Sequence, residues 1–180
     1  MKYFSIRLYR KMIDCAIAEG IPKDEFEKLP TPMSKISELE VIDAEEFLAL
    51  HELLEKRLDS GFSVRVGQKM LIEDYGVLGL SWRTCTKVGE IFERSERYFK
   101  LLSNTFVWQI KNDGDISHVV LNREAHRRGM ELSTEASLSA TVVVLQAISE
   151  KDLHPVQVSF KHKQAKDLTS HKEAFKCPII

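Results

Sequence analysis

Residues 62–104, FSVRVGQKMLIEDYGVLGLSWRTCTKVGEIFERSERYFKLLSN, decide the fold. The stretch predicts three consecutive helices that share one apolar face. In the last of these helices, apolar side chains recur every three or four positions, which places them on one side of the helix. These side chains are Val88, Ile91, Phe92, Tyr98, Phe99 and Leu102. An apolar stripe this wide must be buried against other elements, which the rest of the chain must supply.

The composition is that of an ordinary globular domain. The chain has 180 residues, of which 43% are hydrophobic and 29% charged, so a single domain over residues 1–180 with a real core is expected. The net charge of −1 argues against a chain that, as a whole, binds nucleic acid or an anionic membrane. No signal-peptide pattern and no apolar run near the roughly twenty residues of a membrane span are present, so a cytoplasmic protein without a membrane partner is expected. The three distant cysteines, Cys15, Cys85 and Cys177, are expected to be reduced.

The segments that precede residues 62–104 are also predicted to be helical. Apolar residues at helical spacing predict a helix over residues 3–19, which Gly20 ends. Asp43 is suited to cap a helix over residues 44–58. A short helix is expected between the two, followed by prolines that forbid a continuous helix.

After Asn104 the period of the apolar residues changes to two, which is typical of strands. Residues 106–111 and 116–122 are predicted to form a hairpin, because the Asn-Asp-Gly-Asp sequence between them tolerates positive φ. A polar loop is expected over residues 123–129. Residues 132–149 predict a long helix with a deeply buried middle, although its Thr-Val-Val-Val segment suits a strand by propensity alone.

The end of the chain completes the predicted fold class. Alternation predicts a strand over residues 155–161, a short helix is expected over residues 168–175, and a further extended segment begins at Cys177. The expected class is α+β, with a helical N-terminal layer packed against a small, mostly antiparallel sheet and one long buried helix.

Motifs for metal, nucleotide or nucleophilic chemistry are not found in the sequence. His51 and Glu52 lack a second histidine four residues on, and Gly76 and Gly79 are not followed by the lysine of a phosphate loop. Ser139 has no nucleophile-elbow pattern around it. No catalytic residue, metal ligand or cofactor is therefore predicted.

Five side chains are candidates for a ligand pocket. Trp82, Tyr98, Trp108 and His118 combine an aromatic body with a polar tip, which suits the orientation of a small ligand. Arg83 follows Trp82 in an apolar helix, where a buried guanidinium would need a partner. Each of them could equally be a core, interface or surface residue.

Two basic segments, residues 123–128 and 161–166, raise the question of nucleic-acid binding. That function would need both segments on one face with aromatic partners. With the net charge near zero, solvated loop and helix surface is the favoured interpretation.

Five short segments occur in the order of a known family. They are FSVRVG at 62–67, YGVLG at 75–79, the helix over 88–102 that ends in YFKLL, PVQVSFKH at 155–162 and FKCPI at 175–179. Each segment is weak alone, but together they resemble the N-terminal effector domain of AraC-type transcriptional regulators, in the arabinose-binding-like subgroup. Lys176 stands where that family often has glycine.

The resemblance implies a regulator whose helix-turn-helix half would follow Ile180. The chain would then be the effector-sensing and dimerisation domain, with a small-molecule effector and a second copy of itself as partners. It would contact DNA only through the missing half. Binding of the effector would favour one arrangement of the domain and so bias the attached half. Two alternatives stay open: a dimerisation or partner-binding module without a ligand, and a stand-alone enzyme.

Overall fold

The computed structural model describes residues 1–123 and 126–180. The elements of the first half are β1 Tyr3–Ser5, α1 Ile6–Ala18, β2 Val41–Asp43, α2 Ala44–Arg57, α3 Phe62–Gln68, α4 Gly76–Trp82 and α5 Val88–Tyr98. Those of the second half are β3 Val107–Asp113, β4 Ile116–Asn122, α6 Arg128–Ser149 and α7 Thr169–Phe175. Short 3₁₀ turns lie at Lys23–Lys28, Met33–Glu38, Ile72–Tyr75 and Phe99–Leu101. The α+β class is confirmed.

The β structure consists of small separate pieces. Strands β1 and β2 pair antiparallel, and β3 and β4 form an antiparallel hairpin that turns at Gly114, whose φ is +58°. The strand predicted over residues 155–161 makes only one isolated parallel bridge, between Val158 and Ile179. A second isolated bridge, antiparallel, joins Phe4 and Ser103. Instead of the single sheet expected from the sequence, the described residues form two two-stranded sheets and two isolated bridges.

Local signals account for the ends of several helices. The side chain of Asp43 accepts a hydrogen bond from the backbone N–H of Glu45 at 2.8 Å, so the predicted cap of α2 is confirmed. Gly20 has a φ of +104°, which lets the chain leave α1. The Thr-Val-Val-Val segment lies within α6, where the length of the apolar run outweighs β propensity.

Helix α6 packs closely against α3 and α2. A Cβ atom on Gly67 of α3 would lie 2.4 Å from the backbone oxygen of Ala136 on α6, so only glycine permits this approach. The hydroxyl of Ser139 donates to the backbone oxygen of Val64 at 2.9 Å across the same contact. At the other end, Gly129 allows the backbone of α6 to approach Leu48 of α2. These contacts place the long predicted helix inside the fold.

The hairpin covers the helices of residues 62–104, as predicted. The Phe99 ring lies 4.8 Å from that of Phe106 and 5.8 Å from that of Trp108. The predicted apolar stripe is buried at Ile91, Phe92, Phe99 and Leu102. It is wrong at its edges, because Val88 is 37% and Tyr98 47% exposed. These two residues are the first and the last of α5, where the helix is least covered by its neighbours.

By length and composition alone, α6 could cross a membrane. A core helix of a soluble protein passes the same test, so one such helix is weak support for a membrane protein. Helix α6 also carries a buried carboxylate, Glu135, with polar partners inside the fold. A charged side chain is costly within a membrane, so Glu135 argues against a membrane span by α6.

Replacing Gly67 by alanine is expected to lower the free energy of unfolding by about 1–3 kcal/mol, because the added Cβ forces α3 away from α6. The matched control is Gly89→Ala in α5, where a Cβ would meet nothing within 4 Å. That change is expected to be neutral or to stabilise by roughly 0.5–1 kcal/mol. Urea unfolding of both variants checks the difference, and equal stabilities would contradict the close α3–α6 contact.

Candidate ligand-binding cavity

A cavity of about 80 Å³ lies among the helices and the hairpin. Its wall draws on α1 to α6 and β3 and is mainly apolar. The aromatic members of the wall include Tyr75, Trp82, Phe92, Phe99, Phe106 and Trp108. Since a water molecule needs roughly 10–15 Å³ of such space, the cavity has room for several waters or for a small organic group. Pockets of this kind bind small molecules through an apolar body and a few polar groups.

Two tryptophans supply polar groups to this wall. Trp82 ends α4, with its ring 4.9 Å from that of Tyr75, and Trp108 belongs to β3. Both side chains are buried, and neither indole N–H has a hydrogen-bond partner among the described residues. Buried indole N–H groups usually find an acceptor. The two donors are therefore available to a molecule in the cavity.

His51 of α2 also lines the cavity, and it was not among the candidates from the sequence. Its Nδ1 lies 2.8 Å from the hydroxyl oxygen of Ser63, and its ring meets the edge of Phe47. Burial, helped by the positive charge of Arg123, lowers the pKa of His51 to about 3. The imidazole is therefore neutral near pH 7 and offers the wall a polar but uncharged group.

The other three candidates from the sequence lie away from the cavity wall. Arg83 is exposed and pairs with Glu73. Tyr98 is exposed at the end of α5, and His118 is exposed on β4, opposite Lys111. The structure thus brings Trp82 and Trp108 together at the cavity but not Arg83, Tyr98 or His118.

Arg123 is a residue that the sequence analysis assigned to a polar loop. It follows β4, with its guanidinium carbon 4.7 Å from the ring centre of Phe106. One guanidinium nitrogen, Nη2, donates to the hydroxyl of Ser133 at 3.3 Å. The other two nitrogens, Nε and Nη1, are buried and have no partner among the described residues. Both of its contacts, Phe106 and Ser133, belong to the cavity wall.

The rest of the basic segment over residues 123–128 also departs from the expected solvated loop; residues 124 and 125 lie outside the described residues. Arg127 donates to both carboxylate oxygens of Glu52 at 2.7 Å. Arg128 donates to Glu55 at 2.8 Å and to Glu131 at 2.9 Å. These arginines join the start of α6 to α2, so they do not form a free nucleic-acid surface.

A second polar cluster centres on Glu135, which is 2% exposed. His162 donates to one of its oxygens at 2.7 Å, and His171 to the other at 2.9 Å. Arg128 lies 3.4 Å away. Burial acts to raise the pKa of Glu135, but the two histidine hydrogen bonds and the nearby positive charges prevail and lower it to about 2.

This cluster is structural. It joins α7 and the segment around His162 to α6. His162, which belongs to the second basic segment, therefore makes an internal contact rather than a surface one. Among the described residues, no group of three or more His, Cys, Asp or Glu side chains is arranged to hold a metal ion.

Comparison with known families gives one match. The sequence model described as the arabinose-binding domain of AraC transcription regulator, N-term, matches residues 32–180. The matched range contains α2 to α7 and the hairpin, and with them most of the cavity wall. No curated protein matches the chain.

The Glu135 cluster predicts a specific acid sensitivity. Because the pKa of Glu135 is lower in the folded chain than in the unfolded one, its stabilising effect is present above about pH 4.5 and is lost as the pH falls towards 2. Glu135→Gln is expected to cost about 3–5 kcal/mol near pH 7, since it leaves His162, His171 and Arg128 without the carboxylate they contact. The variant is also expected to lose less stability than the unmodified chain as the pH falls over this acidic range.

Glu131→Gln is the matched control, because Glu131 binds the same Arg128 from a half-exposed position on the same helix. It is expected to cost less than about 1 kcal/mol and to keep the acid profile of the unmodified chain. Thermal unfolding between pH 2.5 and 7 measures both variants. An acid profile for Glu135→Gln that matches that of the unmodified chain would refute the assignment.

Proposed function

The chain belongs to the family of N-terminal arabinose-binding domains of AraC transcription regulators, and from this premise we propose that it senses a small effector for such a regulator. The family supports a ligand-sensing regulatory role and is not a family of enzymes. The observation that carries the proposal is the mainly apolar cavity with two unpartnered indole N–H donors in its wall.

The elements that form the cavity wall suggest how ligand binding would affect the rest of the domain. Side chains from the N-terminal helices, from β3 and from α6 all contribute to it, so its occupant would touch elements that are far apart in the sequence. A ligand that fits one arrangement of these elements better than another shifts the population towards that arrangement. We infer that this shift is what an attached DNA-binding half responds to.

The partners follow from the same proposal. A helix-turn-helix half after residue 180 would supply the DNA contact, since the net charge is −1 and Arg127 and Arg128 of the first basic segment pair with glutamates of α2. A regulator that acts on DNA would work in the cytoplasm, which suits the free thiols of the three cysteines.

Homodimerisation is a second proposed property. Val77 and Leu80 lie three residues apart on α4 and are 75% and 56% exposed. Apolar side chains on one helix face are suited to a contact with another chain. This contact between two chains would not depend on the cavity. It therefore also supports the alternative function, a dimerisation module that needs no ligand.

A thermal-shift screen of metabolites tests the sensing function, because a ligand that binds only the folded chain must stabilise it, by about 2.7 kcal/mol at a hundred times its Kd. At least one metabolite is expected to raise the Tm. Ser137→Leu, which adds volume to the cavity wall on α6, is expected to abolish that shift.

Ala147→Leu serves as the control, because it adds a leucine to the same helix at an exposed position outside the wall. It is expected to keep the metabolite shift. If every active metabolite stabilises Ser137→Leu as strongly as the control, the cavity is not the sensing site. If no metabolite acts on the unmodified chain, the ligand-independent alternative is favoured.

A further inference from the structure

The unpartnered polar atoms beside the cavity share one property. In the described part of the chain, the buried side-chain atoms without a partner that belong to the wall, or to Arg123 next to it, are all hydrogen-bond donors. They are Nε1 of Trp82, Nε1 of Trp108, and Nε and Nη1 of Arg123. Indole and guanidinium groups cannot accept hydrogen bonds. A molecule that satisfies this site must therefore bring acceptors.

The ionised side chain next to the cavity is also positive. Arg123 is a guanidinium that lies largely inside the protein, and burial lowers its pKa to about 10. The group still carries its positive charge near pH 7. The neighbouring His51 is neutral, and no carboxylate oxygen of a described residue lies within ion-pair distance of Arg123. Among the described residues, the positive charge beside the cavity therefore has no carboxylate partner.

Other arginines in the fold show how this chain usually treats a partly buried guanidinium. Arg65 is 2.6 Å from Glu19 and 2.8 Å from Asp59. Arg127 and Arg128 likewise have glutamate partners at 2.7 and 2.8 Å. Within residues 1–123 and 126–180, the contacts of the Arg123 guanidinium are the Ser133 hydroxyl and the face of Phe106. A ring face and one hydroxyl offset only part of the cost of burying a charge.

The hairpin explains why this cation lies beside the cavity. Asn122 pairs with Val107 in the antiparallel register, so the next residues on the two strands, Arg123 and Phe106, face each other. Trp108 lies two residues along the same strand, on the same side as Phe106, with its ring 6.1 Å from the Phe106 ring. The register therefore brings two kinds of donor close to the Phe106 side of the cavity wall, and neither has a partner among the described residues.

We propose that the effector is a small carboxylic acid, with a compact apolar body in the cavity and a carboxylate that pairs with Arg123. This inference rests on the proposed sensing function. A carboxylate supplies acceptors to donors that have none and balances one positive charge with one negative charge. A phosphate group is doubly charged and usually draws several cations, whereas the described part of the cavity surroundings offers this one.

Matched acids and amides test the proposal directly. The probes are benzoate with benzamide and pentanoate with pentanamide, with inorganic phosphate as an anion that lacks an apolar body. Each is titrated against the chain by thermal shift and calorimetry. Both acids are expected to bind saturably, at least about tenfold more tightly than their amides, and phosphate is expected to give no saturable shift.

Variants at residue 123 identify the anchoring group. Arg123→Gln is expected to remove the preference for acid over amide, and Arg123→Lys to retain part of it, since lysine keeps the charge but not the planar donor set. Without ligand, Arg123→Gln is expected to be at least as stable as the unmodified chain, because it removes an unbalanced buried charge. If Arg123→Gln does not fold, the acid preference of Arg123→Lys still tests whether residue 123 binds the carboxylate.

The outcomes separate this inference from the proposed function. Amides that bind as tightly as the acids, or an acid preference that survives in Arg123→Gln, would overturn the carboxylate assignment and leave a ligand-binding cavity in place. Strong destabilisation of Arg123→Gln without loss of acid binding would make Arg123 structural. If no acid binds, the carboxylate assignment is wrong, and the metabolite screen with Ser137→Leu still decides the sensing function on its own.

Discussion

The close contact between α3 and α6 at Gly67 is the constraint on which the rest of the structure depends. It lets the backbone of Ala136 approach α3 more closely than any side chain would allow. Once α6 is fixed there, its two sides face different surroundings. Ala140 and Val144 pack in the main core and line the cavity. Val142 instead packs with Phe175 in a smaller apolar cluster. The position of one helix thus sets both the cavity and the packing of the C-terminal segment.

The same helix also links the two polar features of the fold. Ser133, in the cavity wall, receives the hydrogen bond from Arg123. Glu135, two residues later, binds His162 and His171 of the C-terminal segment. A displacement of α6 by a ligand would therefore be passed to that segment through short, buried hydrogen bonds. This physical connection is what a sensing domain needs in order to influence a partner that is attached beyond it.

Much of the fold could be predicted from local patterns, while the site could be predicted only in part. Trp82 and Trp108 were found because a large amphipathic ring in an apolar element is usually buried. Tyr98 was placed in the wrong surroundings because periodicity gives the side of a helix on which a residue lies but not where the covering elements end. Arg123 was not a candidate from the sequence, because its position beside the cavity depends on the strand register and its lack of a carboxylate partner among the described residues is visible only in the structure. Lys176 adopts a left-handed φ of 50° where the family often has glycine, so that departure has a conformational cost that the sequence alone does not explain.

The central claim is that a small molecule binds among α1 to α6 and the hairpin, and the two tryptophans of the chain report on it. Both lie in the cavity wall, and neither indole N–H has a hydrogen-bond partner in the part of the chain that the structure describes. Each indole gives one resonance in a ¹H–¹⁵N spectrum, which Trp82→Phe and Trp108→Phe assign. Addition of a metabolite that stabilises the chain is expected to move both indole resonances together and saturably, as the ligand brings acceptors to them. A stabilising metabolite that leaves both resonances in place would contradict the account.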